Sequence, residues 1–235
     1  MKQLRTKIFA DGADLSAIAA LCANPAIRGF TTNPTLMRKA GVSDYEAFAR
    51  SALQLVGDRP ISFEVFSDEL DEMEGQARTL AGWGANVYVK IPVTNTRREP
   101  ADDLVRRLSQ SGVRVNVTAV MTLAQVERLA KCLRGGAPSN ISIFAGRIAD
   151  TGIDPLPMMR KALELIGSSP TIEIIWASPR ELLNLVQASE IGCHIITVTA
   201  DILAKLPLLG RDLDEYSLDT VKMFHGDAAG AGYRL

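Results

Sequence analysis

The sequence predicts an α/β protein, a (β/α)8 TIM barrel with an extra C-terminal helix. Three observations predict the barrel. Eight short apolar, β-branched runs recur, with starts roughly 22–32 residues apart. Helical patterns with apolar residues three and four apart fill most of the intervals. Several of the strand runs carry polar residues at every second position, where parallel strands covered on both faces are ordinarily apolar throughout. A doubly wound open sheet is the runner-up architecture. No G-x-G-x-x-G follows the first strand, and polar residues in mid-strand call for a closed interior.

The elements follow in order. KIFAD (7–11) is the first strand, and the pattern DLSAIAALCANP leads to the second, GFTTN (29–33). Ser43 is placed to cap the helix of SDYEAFARSALQLVG, ahead of the third strand, ISFEVF (61–66). Asp68 opens DELDEMEGQARTLAGWG, and VYVKIPV (87–93) follows as the fourth strand. The Arg97-Arg98 pair in TNTRREP reads as part of a solvated loop. VNVTAVM (115–121) is the fifth strand, and Thr122 caps the helix of TLAQVERLAKCL. ISIFAGRI (141–148) is the sixth strand, and Pro155 suits the first turn of DPLPMMRKALELIG. TIEIIWAS (171–178) is the seventh, Pro179 opens the next helix, and IITVTAD (195–201) is the eighth. The tail of residues 211–235 reads as one more helix with a flexible Gly/Ala end, either capping the barrel or contacting another subunit.

Composition narrows the function. At 235 residues, 47% hydrophobic and 23% charged, the chain has the size of one compact barrel, predicted as a single domain over 1–235. Cys22, Cys132 and Cys193 are scattered without metal-ligand spacing, which argues against a disulfide framework or a structural zinc and suits a reducing cytoplasm. No metal and no cofactor is expected. His194 and His225 are the only histidines, too few for multi-histidine centres. A net charge of −1 and a pI near 6.2 exclude a globally basic nucleic-acid binder but leave room for a local anion pocket. No stretch has the length of a signal-peptide core or a membrane span, so no membrane association and a cytoplasmic location are expected.

The alternating strands place chemistry inside the barrel. Val87, Val89 and Ile91 share one face of the fourth strand and Tyr88 with Lys90 share the other. Ser62 and Glu64 alternate with Ile61, Phe63 and Val65. Asn116 and Thr118 alternate with Val115, Val117 and Ala119. Asp11 shares a face with Phe9, and Asn33 with Thr31. If the apolar sets meet the helices, then a lysine, two carboxylates, amides and hydroxyls converge within. Lone buried charges cost several kcal/mol, so such a set is either a paired structural core or a functional site. A lysine in a tight, partly apolar pocket yields a free amine that attacks carbonyl carbon, and the resulting Schiff base drains electrons from a neighbouring C–C bond. Asp11 or Glu64 can then move protons without histidine. Asn33, Asn116, Thr118 and Ser142 suit the hydroxyls of a sugar. Arg147 at the end of strand six, with Ser178 and Arg180 beyond strand seven, reads as a phosphate clamp, with a surface ion pair as the plainer alternative for Arg147 alone.

At these residues the chain resembles the transaldolase family, in particular the short bacterial and archaeal branch that also holds the fructose-6-phosphate aldolases. The blocks are FADGAD, GFTTNPTL, VYVKIPVT, NVTAVMTLAQ, SIFAGRIAD and WASPR, in order through nearly the whole chain. The resemblance implies Lys90 as the Schiff-base lysine, Asp11 as the proton-transfer carboxylate, and Glu64 with Thr118 holding a shuttling water. It implies Asn33, Asn116, Ser142, Phe144, Arg147, Ser178 and Arg180 as substrate contacts. The implied reaction moves a dihydroxyacetone unit from sedoheptulose 7-phosphate or fructose 6-phosphate to an aldose phosphate. Glu64 and Phe144 stand where the aldolases typically carry Gln and Tyr, which favours transfer over release of dihydroxyacetone. An aldolase of the same fold and a non-catalytic sugar-phosphate-binding barrel are the alternatives. The match loosens after Ser178, where the chain passes directly to Pro179-Arg180-Glu181, and at Asp201. The resemblance also implies a ring-like homo-oligomer, with decamers common in the branch and Phe224 as the candidate contact.

Overall fold

The computed structural model of the chain describes residues 4–234. Eight strands, β1 (Lys7–Asp11), β2 (Ile27–Thr31), β3 (Ile61–Glu64), β4 (Val87–Pro92), β5 (Val115–Val120), β6 (Ser139–Ile143), β7 (Ile172–Trp176) and β8 (Ile195–Thr199), close into a barrel in sequence order. Every neighbouring pair is parallel, and β8 pairs back to β1. The main crossovers are α1 (Leu15–Cys22), α3 (Tyr45–Val56), α4 (Leu70–Ala81), α5 (Asp102–Gln110), α6 (Leu123–Leu133), α8 (Leu156–Ile166) and α9 (Leu183–Glu190). Short helices α2 (Pro34–Lys39), α7 (Ala145–Asp150) and α10 (Ala200–Leu203) follow β2, β6 and β8 directly. The chain closes with α11 (Leu213–Ala231).

The two faces of the strands bury different things. Ile61, Phe63, Val65, Val87, Val89, Ile91, Val115 and Val117 lie in the continuous apolar layer between barrel and helices. Phe9, Ile175, Ala177 and Ile195 form a separate apolar plug inside the barrel, with Phe144 against it. Phe9 fits there because Gly29 has no side chain: a Cβ at residue 29 would stand 2.6 Å from the Phe9 ring. Below the plug, Lys7 pairs with Glu173 at 2.7 Å, and the Arg114 guanidinium lies 5.8 Å from the centre of the Tyr88 ring.

Several local expectations shift by a residue or more. Thr122 caps α6 with a complete capping box, Gln125 reaching back to its backbone. Asp44, not Ser43, caps α3 through a bond from Ala47 N–H. Glu69, not Asp68, is the N-cap residue of α4, because Asp68 instead accepts from the Thr96 backbone and hydroxyl. Pro155 is the N-cap of α8, and Pro179 lies in the loop ahead of α9, where Asn184 accepts from the backbone of Arg180 and Glu181. The FAGRI segment is not strand. β6 ends at Ile143, and Arg147 rides on α7. The terminal helix continues through the Gly/Ala segment to Ala231, where Gly232 ends it in the left-handed conformation. None of the α11 side chains is buried, and Leu213, Val221 and Phe224 stand at 80%, 60% and 63% exposure. No helix among the described residues is long and apolar enough to cross a membrane.

Candidate active site

Strand register assembles the site at the C-terminal ends of the strands, the face where barrels of this type carry their chemistry. Glu64 pairs with Lys90, Lys90 with Asn116, and Asn116 with Asn140, so one row of polar residues crosses four strands. On the other side Asp11 pairs with Thr31 and with Thr199, and Thr31 with Ser62. Between Val117 and Val120 the β5–β6 ladder shifts register, and Ala119 within that stretch takes a φ of 61°.

Lys90 is buried at 6% exposure and has two oxygen partners. Its Nζ stands 2.9 Å from Glu64 Oε2 and donates to the Thr32 carbonyl at 2.8 Å. Asp11 faces the same space and accepts from the Thr31 hydroxyl at 2.8 Å. That hydroxyl is also bonded to Thr197, and because its one proton goes to Asp11, Thr197 is the donor. Burial lifts the Asp11 carboxyl above the ordinary carboxylate range, outweighing the pull of Lys90 and Thr31, with a smaller push from Glu64.

The amides and hydroxyls are held in turn. Asn116 Nδ2 donates to Ser62 Oγ at 3.1 Å, and its Oδ1 accepts from Ser142 Oγ at 2.7 Å. Thr118 Oγ1 is buried with no hydrogen-bond partner, so its hydroxyl is available to a ligand or water. Asn33 caps α2 through a bond from Leu36 N–H to its Oδ1 at 2.9 Å, which leaves its amide protons for a ligand.

At the rim, α7 packs hard against the loop after β7. A Cβ on Gly146 would lie 1.5 Å from the Ser178 carbonyl oxygen, and Ser178 itself has a φ of 60°. Glycine is required at 146 by that approach. Arg180 reaches back from the loop to Asp150 in a two-pronged pair, Nε at 2.9 Å and Nη2 at 2.5 Å. Its charge therefore has a partner already. Arg147 is exposed at the rim and makes no ion pair among the described residues.

All eleven residues singled out from the sequence line one cavity of about 550 Å³: Asp11, Asn33, Glu64, Lys90, Asn116, Thr118, Ser142, Phe144, Arg147, Ser178 and Arg180. Thr31, Thr197, Thr199 and Asp201 line it as well. Thr197 and Thr199 share a face of β8, a period-two signal that marks them as inward. β8 ends before the expected 201, and Asp201 reaches the cavity from the first turn of α10. The Arg97 guanidinium is away from this cavity in an exposed cluster with Asp68, Glu69 and Glu99, as a solvated loop requires. A wider cavity of about 800 Å³ lies at the opposite end, around Arg5, Lys7 and Arg28. Among the described residues lining it there is one lysine, Lys7, and no carboxylate; Lys7 pairs with Glu173. Among the described residues no group of three or more His, Cys, Asp or Glu is arranged to hold a metal ion.

Comparison with known proteins places the chain in a family. The Transaldolase/Fructose-6-phosphate aldolase family model matches residues 8–233. "Probable transaldolase 2" of Listeria monocytogenes is 36% identical over 219 residues, covering 91% of this chain and 95% of that protein. "Probable transaldolase" of Streptococcus equi subsp. zooepidemicus is 34% identical over 219 residues, covering 91% and 97%. Among solved structures, 3-keto-L-gulonate-6-phosphate decarboxylase from Vibrio cholerae superposes with a TM-score of 0.56 at 12% identity, over 85% of this chain and 89% of that one. That likeness concerns the barrel alone. The sequence relatives and the family match agree with the blocks that line the cavity: this chain belongs to the transaldolase/fructose-6-phosphate aldolase family.

Proposed function

We propose that the chain is a transaldolase that carries a dihydroxyacetone unit from a ketose phosphate, sedoheptulose 7-phosphate or fructose 6-phosphate, to an aldose phosphate through a Schiff base on Lys90. The observation that carries this reading is the meeting of Lys90, Glu64 and Asp11 in one buried cluster at the cavity floor. Glu64 takes a proton from the Lys90 ammonium, the freed amine attacks the ketone carbon, and loss of water from the adduct needs a proton donor. Glu64 and the unpartnered Thr118 hydroxyl are placed to hold the water that supplies and recovers that proton. Asp11 then takes the proton of the hydroxyl next to the bond to be broken. The C–C electrons pass into the iminium, the aldose phosphate leaves, and a three-carbon enamine stays on Lys90. An acceptor aldehyde reverses the sequence, with Asp11 returning its proton. A carboxyl lifted above its usual range suits this shuttle, since it holds the proton it takes more tightly than an ordinary carboxylate would before returning it.

Asn33, Asn116 and Ser142 would bind sugar hydroxyls, and Arg147 with Ser178 and Arg180 the phosphate. Phe144 lines the same wall and has no proton to deliver, so the enamine is kept for an acceptor. The exposed apolar face of α11, including Phe224, supports a homo-oligomer in which that face is covered, with a decamer as the implied form; light scattering that returned a monomer would contradict it. The chemical reading is tested with fructose 6-phosphate, with and without erythrose 4-phosphate. Steady release of glyceraldehyde 3-phosphate is expected only with the acceptor. Equally rapid release of free dihydroxyacetone without it would make the enzyme an aldolase.

A further inference from the structure

The seam between β2 and β3 opens beside the catalytic cluster, and one phenol holds it open. Phe30 pairs with Ile61 and Thr31 with Ser62, and the Thr32 N–H donates to the Ser62 carbonyl at 3.2 Å. Regular parallel pairing would make the next rung a bond from the Glu64 N–H to the Thr32 carbonyl. In its place, the Glu64 N–H donates to the Tyr45 hydroxyl at 2.9 Å, and that hydroxyl donates to the Glu64 carbonyl at 2.8 Å. A single side chain from α3 thus serves both backbone groups on the edge that β2 leaves when it turns into α2. The Thr32 carbonyl, released from the ladder, accepts the Lys90 ammonium at 2.8 Å.

We propose that Tyr45 is a positioning residue for the reaction: its hydroxyl keeps the Thr32 carbonyl for Lys90 and fixes the strand end from which Glu64 reaches the same ammonium. This rests on the lysine chemistry proposed above. A purely structural role is the competing explanation, because the Tyr45 ring also packs on Phe63, Phe66 and Trp83, with centroids 6.4, 5.5 and 6.1 Å away. The two roles separate cleanly, since the hydroxyl and the ring can be altered independently.

Tyr45→Phe deletes the hydroxyl and keeps the ring, and Trp83→Phe disturbs the aromatic cluster and keeps the hydroxyl. In substrate-free crystals of Tyr45→Phe, the Glu64 N–H is expected to close onto the Thr32 carbonyl and Lys90 Nζ to leave it. The rate of borohydride trapping with fructose 6-phosphate is expected to fall roughly 10- to 100-fold. The substrate concentration for half-maximal trapping should change by less than about threefold, because the phosphate end is held elsewhere. Trp83→Phe should melt earlier and trap at the wild-type rate. Crystals of Tyr45→Phe in which Lys90 keeps its bond to Thr32 would overturn the proposal, as would equal slowing by both variants. Tyr45→Leu is read by the same distances if the phenylalanine variant does not fold. If the wild-type protein traps nothing, the proposed function fails, and the substrate-free structures still decide the role of Tyr45.

Discussion

Glu64 and Lys90 are ladder partners on β3 and β4, and their side chains meet inside the barrel with Oε2 2.9 Å from Nζ. Neighbouring parallel strands project same-level side chains to the same face, so register alone brings the pair together. The two side chains are 17% and 8% exposed, which makes this a largely buried ion pair. Removing one partner of such a pair costs about 3–5 kcal/mol, because the other charge is left alone. Glu64→Leu is therefore expected to lower the melting temperature by roughly 6–20 °C for a chain of this size. An unchanged melting temperature would show that the pair adds nothing net. Glu64→Gln keeps the shape and loses the proton acceptor. Its rate of transfer is expected to fall by about 100-fold or more, and a wild-type rate would remove Glu64 from proton transfer.

Asp11 opposes folding at the place where the proposed reaction needs a carboxyl. Its carboxyl is raised above the ordinary value of 3.8, chiefly by burial. The folded state thus holds the proton more tightly than the unfolded chain. Stability from this group is fully present below 3.8 and is lost as pH rises through the raised folded value. Asp11→Asn removes that loss. The variant is expected to melt above wild type at pH 7, with the gap closing in acid below the unfolded carboxylate range. Its transfer rate should drop roughly 10²- to 10⁴-fold, the usual contribution of a positioned acid–base group. A variant that melts below wild type at pH 7 would contradict the burial argument.

Gly146 sets how closely α7 approaches the loop after β7. The Cβ of an alanine there would lie 1.5 Å from the Ser178 backbone oxygen, which no rotamer change relieves. Gly146→Ala is expected to cost about 2 kcal/mol or more, as overpacking against backbone does. Because the displaced loop carries Ser178 and Arg180, the KM for the sugar phosphate should rise more than kcat falls. A variant with wild-type stability and KM would show the contact to be soft.

The two rim arginines are expected to differ. Arg180 is engaged by Asp150 through two bonds, whereas Arg147 makes no ion pair among the described residues. Arg147→Ala should raise KM for a phosphorylated donor by roughly 10- to 100-fold, the loss of one or two charge-assisted bonds. Asp150→Asn should lower that KM by releasing Arg180. If Asp150→Asn raises it, then the carboxylate serves the site by holding Arg180 in place.

The strands and most of the residues lining the cavity were legible because period-two polarity is a strong signal where a continuously apolar run is expected. Lys90, Glu64 and Asn116 stand out in β4, β3 and β5 for that reason, and the register then aligns them in one row. Thr197 and Thr199 were less visible, since threonine is also an ordinary strand former. Helix α5 was missing from the patterned segments because Asp102, Asp103, Arg106 and Arg107 crowd its short length. Leu104, Val105 and Leu108 are nonetheless fully buried beneath them. Tyr45 carried no signal at all. Its contact with Glu64 spans 19 residues and depends on where β2 leaves the sheet, a property of three elements together.

The central claim is that Lys90 is the nucleophile, and trapping tests it most directly. The protein is incubated with fructose 6-phosphate, reduced with borohydride, digested and mapped by mass spectrometry. The expected result is a stable sugar-derived adduct on the peptide containing Lys90, absent from Lys90→Ala, with transfer activity lost in that variant. An adduct on another lysine, or a Lys90→Ala variant that still transfers, would contradict it.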